Sequence, residues 1–185
     1  MASAERTVTW RELLAETATL IDDPLHARWI CETATSTTPE EFSALLDQPA
    51  TERAVGHLDA MVARARGGEP IQYVLGSWGF RRLDLAIDAR VLIPRPETEL
   101  VAERAIELAA AAGPRRFVAD LGTGSGAIAL SVAVECPRAL VMATDRSADA
   151  LAVARANLAG VGRAATRVSL HEGSWFEALP DPVVG

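Results

Sequence analysis

Residues 118–126 read VADLGTGSG, an apolar run that passes through one acidic residue into three alternating glycines. Residues 116–121 predict a buried strand, and the mostly apolar residues 127–135 after the glycines predict a helix. Glycine adopts positive φ angles without steric cost and lets a ligand approach the backbone closely. The N–H groups of a helix's first turn bind anions. This stretch therefore predicts a strand–loop–helix unit that holds a carboxylate or a phosphate.

The chain beyond this unit repeats the alternation of strand and helix. Residues 139–144 predict a second strand that ends at Asp145, and residues 148–158 predict a second helix. Residues 167–171 predict a third strand, which Trp175 follows. Strands that alternate with helices form parallel sheets with right-handed crossovers, and ligands bind at the carboxyl ends of the strands. We therefore expect the glycines, Asp145 and Trp175 to meet at one edge of a Rossmann-like sheet.

Two classes of cofactor fit this edge. A dinucleotide would place its pyrophosphate at the glycines, whereas S-adenosylmethionine would place its amino-acid end there. Asp145 fits both classes, because a carboxylate after the second strand accepts hydrogen bonds from ribose hydroxyls. Asp120 favours S-adenosylmethionine, because its carboxylate attracts the sulfonium and ammonium groups and repels a pyrophosphate. The alternative for Asp120 is an aspartate that only caps the turn.

Trp175 and the two cysteines of the chain have structural interpretations as well. Trp175 could pack its flat ring on an adenine, or it could fill the edge of the core. Cys31 and Cys136 have no second Cys or His at metal-ligand spacing. We therefore expect two buried thiols in a reducing compartment and no metal site.

The first third of the chain indicates a small helical bundle, because apolar residues recur at helical spacing in four segments that end at Gly67. The β formers of residues 71–75 and 78–91 indicate extended chain. We expect a β-hairpin there, with residues 80–85 as one arm and residues 86–93 as the other. The predicted fold class is α/β, and the predicted domains are a helical domain at residues 1–70, a β-hairpin connector at residues 71–96 and a Rossmann-like domain at residues 97–185.

The formal charge of the whole chain is −7, with a pI of about 5.0. An acidic chain is a poor general binder of nucleic acid, because neutralising phosphates needs a basic surface. The longest apolar run, residues 127–134, is far shorter than a membrane span of about 20 residues. We therefore expect a cytoplasmic protein that binds neither a membrane nor, directly, nucleic acid.

Several strings of residues carry a family resemblance that covers most of the chain. They are EPIQY at residues 69–73, LIPRPETE at residues 92–99 and DLGTGSGAIA at residues 120–129. In this order they resemble the bacterial release-factor glutamine methyltransferases. The combination of the PRPETE string with the glycine loop is much more specific for this family than either string alone.

The resemblance implies a helical N-terminal domain that helps to recognise the release factor, a hairpin connector and an S-adenosylmethionine-dependent methyltransferase domain. It implies methyl transfer to the amide nitrogen of the glutamine in the Gly-Gly-Gln loop of a peptide chain release factor. The cofactor-binding residues that it implies are Gly122, Thr123, Gly124, Ser125, Gly126, Asp145 and Trp175.

The chain departs from the family pattern at one point. The family carries an Asn-Pro-Pro-Tyr motif after its fourth strand, and this sequence reaches Gly185 without it. We therefore expect a truncated gene product or a partial sequence that contains no catalytic residue. Such a chain would have no useful turnover, because the motif would fix the glutamine amide in line with the methyl group.

Four other functions remain open at the level of the sequence. Two are close relatives, namely methylation of a ribosomal-protein glutamine and methylation of an amino group on a nucleic-acid base. An NAD(P)-dependent oxidoreductase is the third, because the glycine pattern also fits dinucleotides. The fourth is a non-catalytic fragment that docks on a release factor through its helical bundle.

Overall fold

The computed structural model describes residues 7–113 and 116–179. The chain divides into two compact units, and the boundary lies between Leu75 and Gly76. Residues 181–185, where the sequence departs from the family pattern, lie outside the described part. The α/β fold class with a helical N-terminal part is confirmed.

The first unit is helical, and its helices begin where the sequence supplies caps. Thr9 and Glu12 form a capping box at the first helix, and Thr38 and Glu41 form another at the third. Pro24 occupies the first turn of the second helix, where its missing N–H costs nothing. The helices are α1 (Trp10–Ile21), α2 (Pro24–Thr35), α3 (Pro39–Leu45), α4 (Glu52–Arg66) and α5 (Ile71–Leu75).

Helix α5 corrects the expectation of extended chain over residues 71–75. The carbonyl of Pro70 accepts the N–H groups of Tyr73 and Val74 at 2.9 and 3.1 Å, which closes a helical turn. Val74 is buried in the core that the other helices of this unit share. The β propensity of these residues is overridden because the turn buries Val74 in that core.

The second unit begins with a β-hairpin and continues as alternating helices and strands. The hairpin pairs β1 (Ser77–Phe80) with β2 (Leu83–Ala86). Three parallel strands follow in the order β3–β4–β5, with a helix after each of the first two. The further elements are α6 (Pro96–Ala111), β3 (Arg116–Leu121), α7 (Ala127–Glu135), β4 (Ala139–Asp145), α8 (Ala148–Gly160), a 3-10 helix (Gly162–Arg167), β5 (Val168–Glu172) and a second 3-10 helix (Trp175–Ala178).

The hairpin turns earlier than the sequence pattern predicted. Phe80 pairs with Leu83, so the turn lies at Arg81 and Arg82, and the predicted arms at residues 80–85 and 86–93 were wrong. Arg81 adopts a left-handed backbone with φ of 51°, and Glu99 accepts its N–H at 3.0 Å. Contacts with a distant helix therefore set this turn, which residue propensities alone cannot reveal.

One face of the parallel sheet is covered and the other is open. Val118, Val141 and Leu170 pack with residues of α6 and α7 in one core. On the opposite face Phe117 and Leu140 sit side by side and are 54% and 45% exposed. The covered face holds the strands in register, and their carboxyl ends form the edge that the sequence singled out.

Candidate functional site

The glycine loop leaves β3 through a backbone path that only glycine adopts without strain. Gly122, Gly124 and Gly126 all have positive φ angles, of 78°, 55° and 87°. A Cβ added at Gly126 would lie 3.1 Å from a methyl group of Leu130, one turn along α7. The alternating glycines are therefore required by the turn itself.

The loop is anchored to the end of the neighbouring strand. The carbonyl of Thr144 in β4 accepts the N–H groups of both Gly122 and Thr123, each at 2.8 Å. The Thr144 hydroxyl oxygen is buried without a hydrogen-bond partner among the described residues. The strand register thus fixes where the loop begins, because Thr144 pairs with Leu121, the last residue of β3.

Asp120 points into the loop and the helix behind it. One oxygen of its carboxylate accepts the Thr123 hydroxyl at 2.7 Å and the Ala129 N–H at 3.1 Å. Burial raises the pKa of the Asp120 carboxyl above its usual range, and these two hydrogen bonds oppose the rise. These contacts match the capping alternative for this residue: Asp120 holds the loop against the first turn of α7.

Asp145 meets the loop from the end of β4. Its Oδ2 accepts the N–H of Gly124 at 2.9 Å, and its Oδ1 accepts the N–H of Ser147 at 3.0 Å. An ionised carboxylate offers about four acceptor sites, so each oxygen keeps capacity for a further donor. The sequence predicted that the glycine loop and Asp145, about 20 positions apart, would meet, and the structure shows them in direct contact.

A cleft of about 200 Å³ opens beside this contact. Three predicted site residues line it, namely Gly122, Asp145 and Trp175. Trp175 is 69% exposed and has a left-handed backbone with φ of 48°. A bulky side chain rarely adopts that conformation, and such outliers occur often at ligand sites. The alternative in which Trp175 fills the core edge does not fit its exposure.

The other predicted site residues form the back of the loop. The side chains of Thr123 and Ser125 are buried, and Gly126 is the N-cap of α7. The backbone N–H groups of Ser125, Ala127 and Ile128 donate to no protein group within the described residues. These amides belong to the loop and to the first helical turn, where an anionic group is stabilised.

Sequence reasoning missed several residues of this site. Arg146, Gly173 and Ser174 line the cleft, and Asn157 donates to the loop from α8. Gly173 follows β5, and its N–H donates to the carbonyl of Asp145 at 3.0 Å. Arg146 and Gly173 could have been predicted, because each directly follows a strand. Asn157 lies inside a helix, and no sequence pattern indicates its role.

Two features are absent from residues 7–113 and 116–179. No group of three or more His, Cys, Asp or Glu side chains is arranged there to hold a metal ion. None of the helices in those ranges has the length and apolar character that crossing a membrane requires.

Comparison with known proteins gives matches over both units. Residues 9–76 match the family model of the PrmC N-terminal domain, and residues 100–181 match that of the methyltransferase small domain. A release factor glutamine methyltransferase of Bordetella pertussis is 51% identical over 134 residues, which cover 72% of this chain and 47% of the relative. One from Xylella fastidiosa is 45% identical over 133 residues, with the same two coverages.

A more distant relative extends the match. The release factor glutamine methyltransferase of Geobacter sulfurreducens is 36% identical over 157 residues, which cover 85% of this chain and 53% of the relative. The chain spans about half the length of the curated relatives it matches.

Proposed function

Because this chain belongs to the release factor glutamine methyltransferase family, we propose that its second unit binds S-adenosylmethionine for methylation of a glutamine side-chain amide. The proposed acceptor is the glutamine of the Gly-Gly-Gln motif in a peptide chain release factor. The observation that carries the proposal is the cleft where the glycine loop, Asp145 and Trp175 meet.

The residues of the cleft, together with the glycine loop and the first turn of α7, fit the parts of this cofactor. The amides of Ser125, Ala127 and Ile128 would hold its carboxylate. The remaining acceptor capacity of Asp145 would take the two ribose hydroxyls. The exposed ring of Trp175 would cover the adenine. When bound, the cofactor supplies an electrophilic methyl group on a sulfonium.

The task left for the protein is placement. A glutamine amide nitrogen is a weak nucleophile, because its lone pair is delocalised into the carbonyl. Holding that nitrogen in line with the methyl–sulfur bond can lower the barrier by roughly 7–11 kcal/mol. We assign cofactor binding to residues 122–175. The resemblance implies that the acceptors for the amide hydrogens belong to the Asn-Pro-Pro-Tyr motif of the family.

We test cofactor binding by titrating the full-length protein with S-adenosylmethionine and with NAD in a calorimeter. The variant Asp145→Asn removes the negative charge from the ribose site, so S-adenosylmethionine should bind about 10–100-fold more weakly, as for one or two charge-assisted hydrogen bonds. The matched control Asp149→Asn removes a charge from the exposed first turn of α8 and should change the affinity less than twofold. Tight NAD binding without S-adenosylmethionine binding would overturn the proposal.

We also propose that the helical unit is the release-factor-recognition domain. Its support is the family match over residues 9–76 and the exposure of Leu20 and Leu25 on consecutive helices. The variant Leu25→Glu should weaken release-factor binding at least fivefold and leave cofactor affinity unchanged. Leu108→Glu is the control, because Leu108 is equally exposed but lies on α6 of the other unit. Equal binding by both variants and the parent protein would refute this role.

A further inference from the structure

The side chain of Asn157 in α8 joins the hairpin to the glycine loop. Asn157 is 7% exposed, and three hydrogen bonds use its whole amide group. Its Oδ1 accepts the N–H of Ala86 at 2.7 Å, and its Nδ2 donates to the carbonyl of Ala86 at 3.0 Å. The second hydrogen on Nδ2 goes to the carbonyl of Ser125 at 2.9 Å.

The first two hydrogen bonds reproduce a strand pairing. A side-chain amide has the donor and acceptor of a peptide, so Asn157 holds Ala86 as a neighbouring strand would. Ala86 is the last residue of β2, and this pairing fastens the end of the hairpin to α8. The second hydrogen of this buried amide also needs an acceptor, and the acceptor that it has belongs to the glycine loop.

The third hydrogen bond orients a peptide group of the glycine loop. The peptide between Ser125 and Gly126 is planar and trans, so its carbonyl and its N–H point in opposite directions. Asn157 holds the carbonyl, and the N–H of Gly126 donates to the carbonyl of Thr123 at 2.9 Å. Fixing this plane also fixes the start of α7, because Gly126 is its N-cap.

We propose that Asn157 is a positioning residue for the methionine end of the methyl donor. It holds the Ser125–Gly126 peptide, which lies in the chain between the amide of Ser125 and those of Ala127 and Ile128, and it ties that peptide to the hairpin. Asn157 itself does not line the cleft that would hold the adenosine. This inference rests on the proposed function, since it assumes that the loop receives the cofactor.

The test compares Asn157→Asp with Glu135→Gln in the full-length protein at pH 8. The first variant keeps an acceptor for the Ala86 N–H but can donate neither to the carbonyl of Ser125 nor to that of Ala86. The second weakens another contact of the hairpin, the ion pair of Glu135 with Arg81, and touches no atom of the loop. The probes are S-adenosylhomocysteine, which has the amino-acid end, and 5′-methylthioadenosine, which lacks it.

Asn157→Asp should weaken S-adenosylhomocysteine binding at least tenfold and 5′-methylthioadenosine binding less than threefold. In release-factor methylation it should raise KM for S-adenosylmethionine and leave kcat within threefold. Glu135→Gln should leave both affinities within twofold although it lowers the melting temperature. Equal loss of both probes, or no loss of either, overturns the role of Asn157. If Asn157→Asp does not fold, Asn157→Gln keeps every polar group on a longer stem and should show the same selectivity to a smaller degree. A parent protein that binds neither probe overturns the proposed function itself.

Discussion

Two aspartates near the carboxyl ends of neighbouring strands face different surroundings. Asp120 points into the turn and contacts Thr123 and Ala129, whereas Asp145 contacts the loop and still lines the cleft. The contacts of Asp120 therefore match turn capping, while an electrostatic attraction for the sulfonium stays a prediction. Residue type and spacing predicted that both carboxylates lie near the glycine loop, but they did not predict the different directions in which the two side chains point.

Asp120→Asn should stabilise the protein at neutral pH. Burial raises the pKa of the Asp120 carboxyl above its ordinary value of 3.8, so the native state binds this proton more tightly than the unfolded chain does. Folding with Asp120 is therefore penalised at a pH above both pKa values, and the penalty disappears as the pH falls below 3.8. Thermal melts should show a higher melting temperature for the variant at pH 7 and a shrinking advantage toward pH 4.

The control for this prediction is Asp149→Asn, which removes the same charge from an exposed position. Its melting temperature should follow that of the parent protein across the pH range. A variant at Asp120 that is less stable than the parent at pH 7 would contradict the prediction. That result would mean that the hydrogen bonds to Thr123 and Ala129 outweigh the cost of burying the charge.

Gly173→Ala should destabilise the protein by about 1–3 kcal/mol. Gly173 has φ of 151°, and an added Cβ would lie 2.8 Å from the Cβ of Ala178 in the following 3-10 helix. Because this segment carries Trp175, cofactor binding should weaken too. The contrasting variant Gly56→Ala adds a methyl group in the middle of α4, where no neighbouring atom lies within 4 Å. It should stabilise the protein by about 0.5–1 kcal/mol. Chemical denaturation measures the change in the free energy of unfolding for both variants, and equal changes would refute the steric argument.

At the scale of elements, the hairpin is held by polar contacts with two helices. Arg81 at its turn binds both oxygens of Glu135 in α7, at 2.7 and 3.0 Å. Ala86 at its other end is held by Asn157 in α8. Both helices also pack against the sheet or the glycine loop. The same two helices therefore hold both the hairpin and the proposed cofactor site.

Glu135→Gln should destabilise the second unit by about 1–3 kcal/mol at neutral pH, as expected for a charge-assisted pair that is mostly buried. The hydrogen bond from Arg81 lowers the pKa of Glu135 below its ordinary value of 4.5, against the effect of burial. A lowered pKa contributes stability that is present above pH 4.5 and is lost as the pH falls through the folded-state pKa.

Urea denaturation of parent and variant at pH 7 and at pH 3 checks this dependence. The difference in the free energy of unfolding should be largest at pH 7 and should decrease at pH 3. The variant Arg104→Gln is a suitable control, because its ion pair with Glu107 is exposed on α6 and should contribute less than 1 kcal/mol. A difference that does not change with pH would show that Glu135 acts through packing and not through its charge.

At the scale of the whole molecule, each unit has its own hydrophobic core. Phe42 and Leu58 belong to the helical core, whereas Val132 and Val141 belong to the core under the parallel sheet. Among the described residues, each of these two cores is built from residues of one unit. Parts with their own cores can unfold as separate cooperative blocks.

Calorimetry should therefore resolve two transitions, and a core variant should shift only its own. Phe42→Ala removes a fully buried ring from the helical unit and should cost about 3–5 kcal/mol. Leu151→Ala, which truncates a fully buried side chain of α8, should cost about 2–5 kcal/mol in the other transition. A single transition that both variants shift equally would show that the two cores unfold together.

The sequence by itself determined the strand–loop–helix order, the three parallel strands and the meeting of the glycine loop with Asp145. These features follow from local patterns, because glycine spacing and apolar periodicity report the conformation of the residues that carry them. The tertiary structure alone decided the helical form of residues 71–75, the turn at Arg81 and the role of Asn157. Each depends on partners far away in the chain, such as Ala86 and Asn157, which are 71 positions apart. Only folding brings such groups together, and burial then makes their hydrogen bonds obligatory.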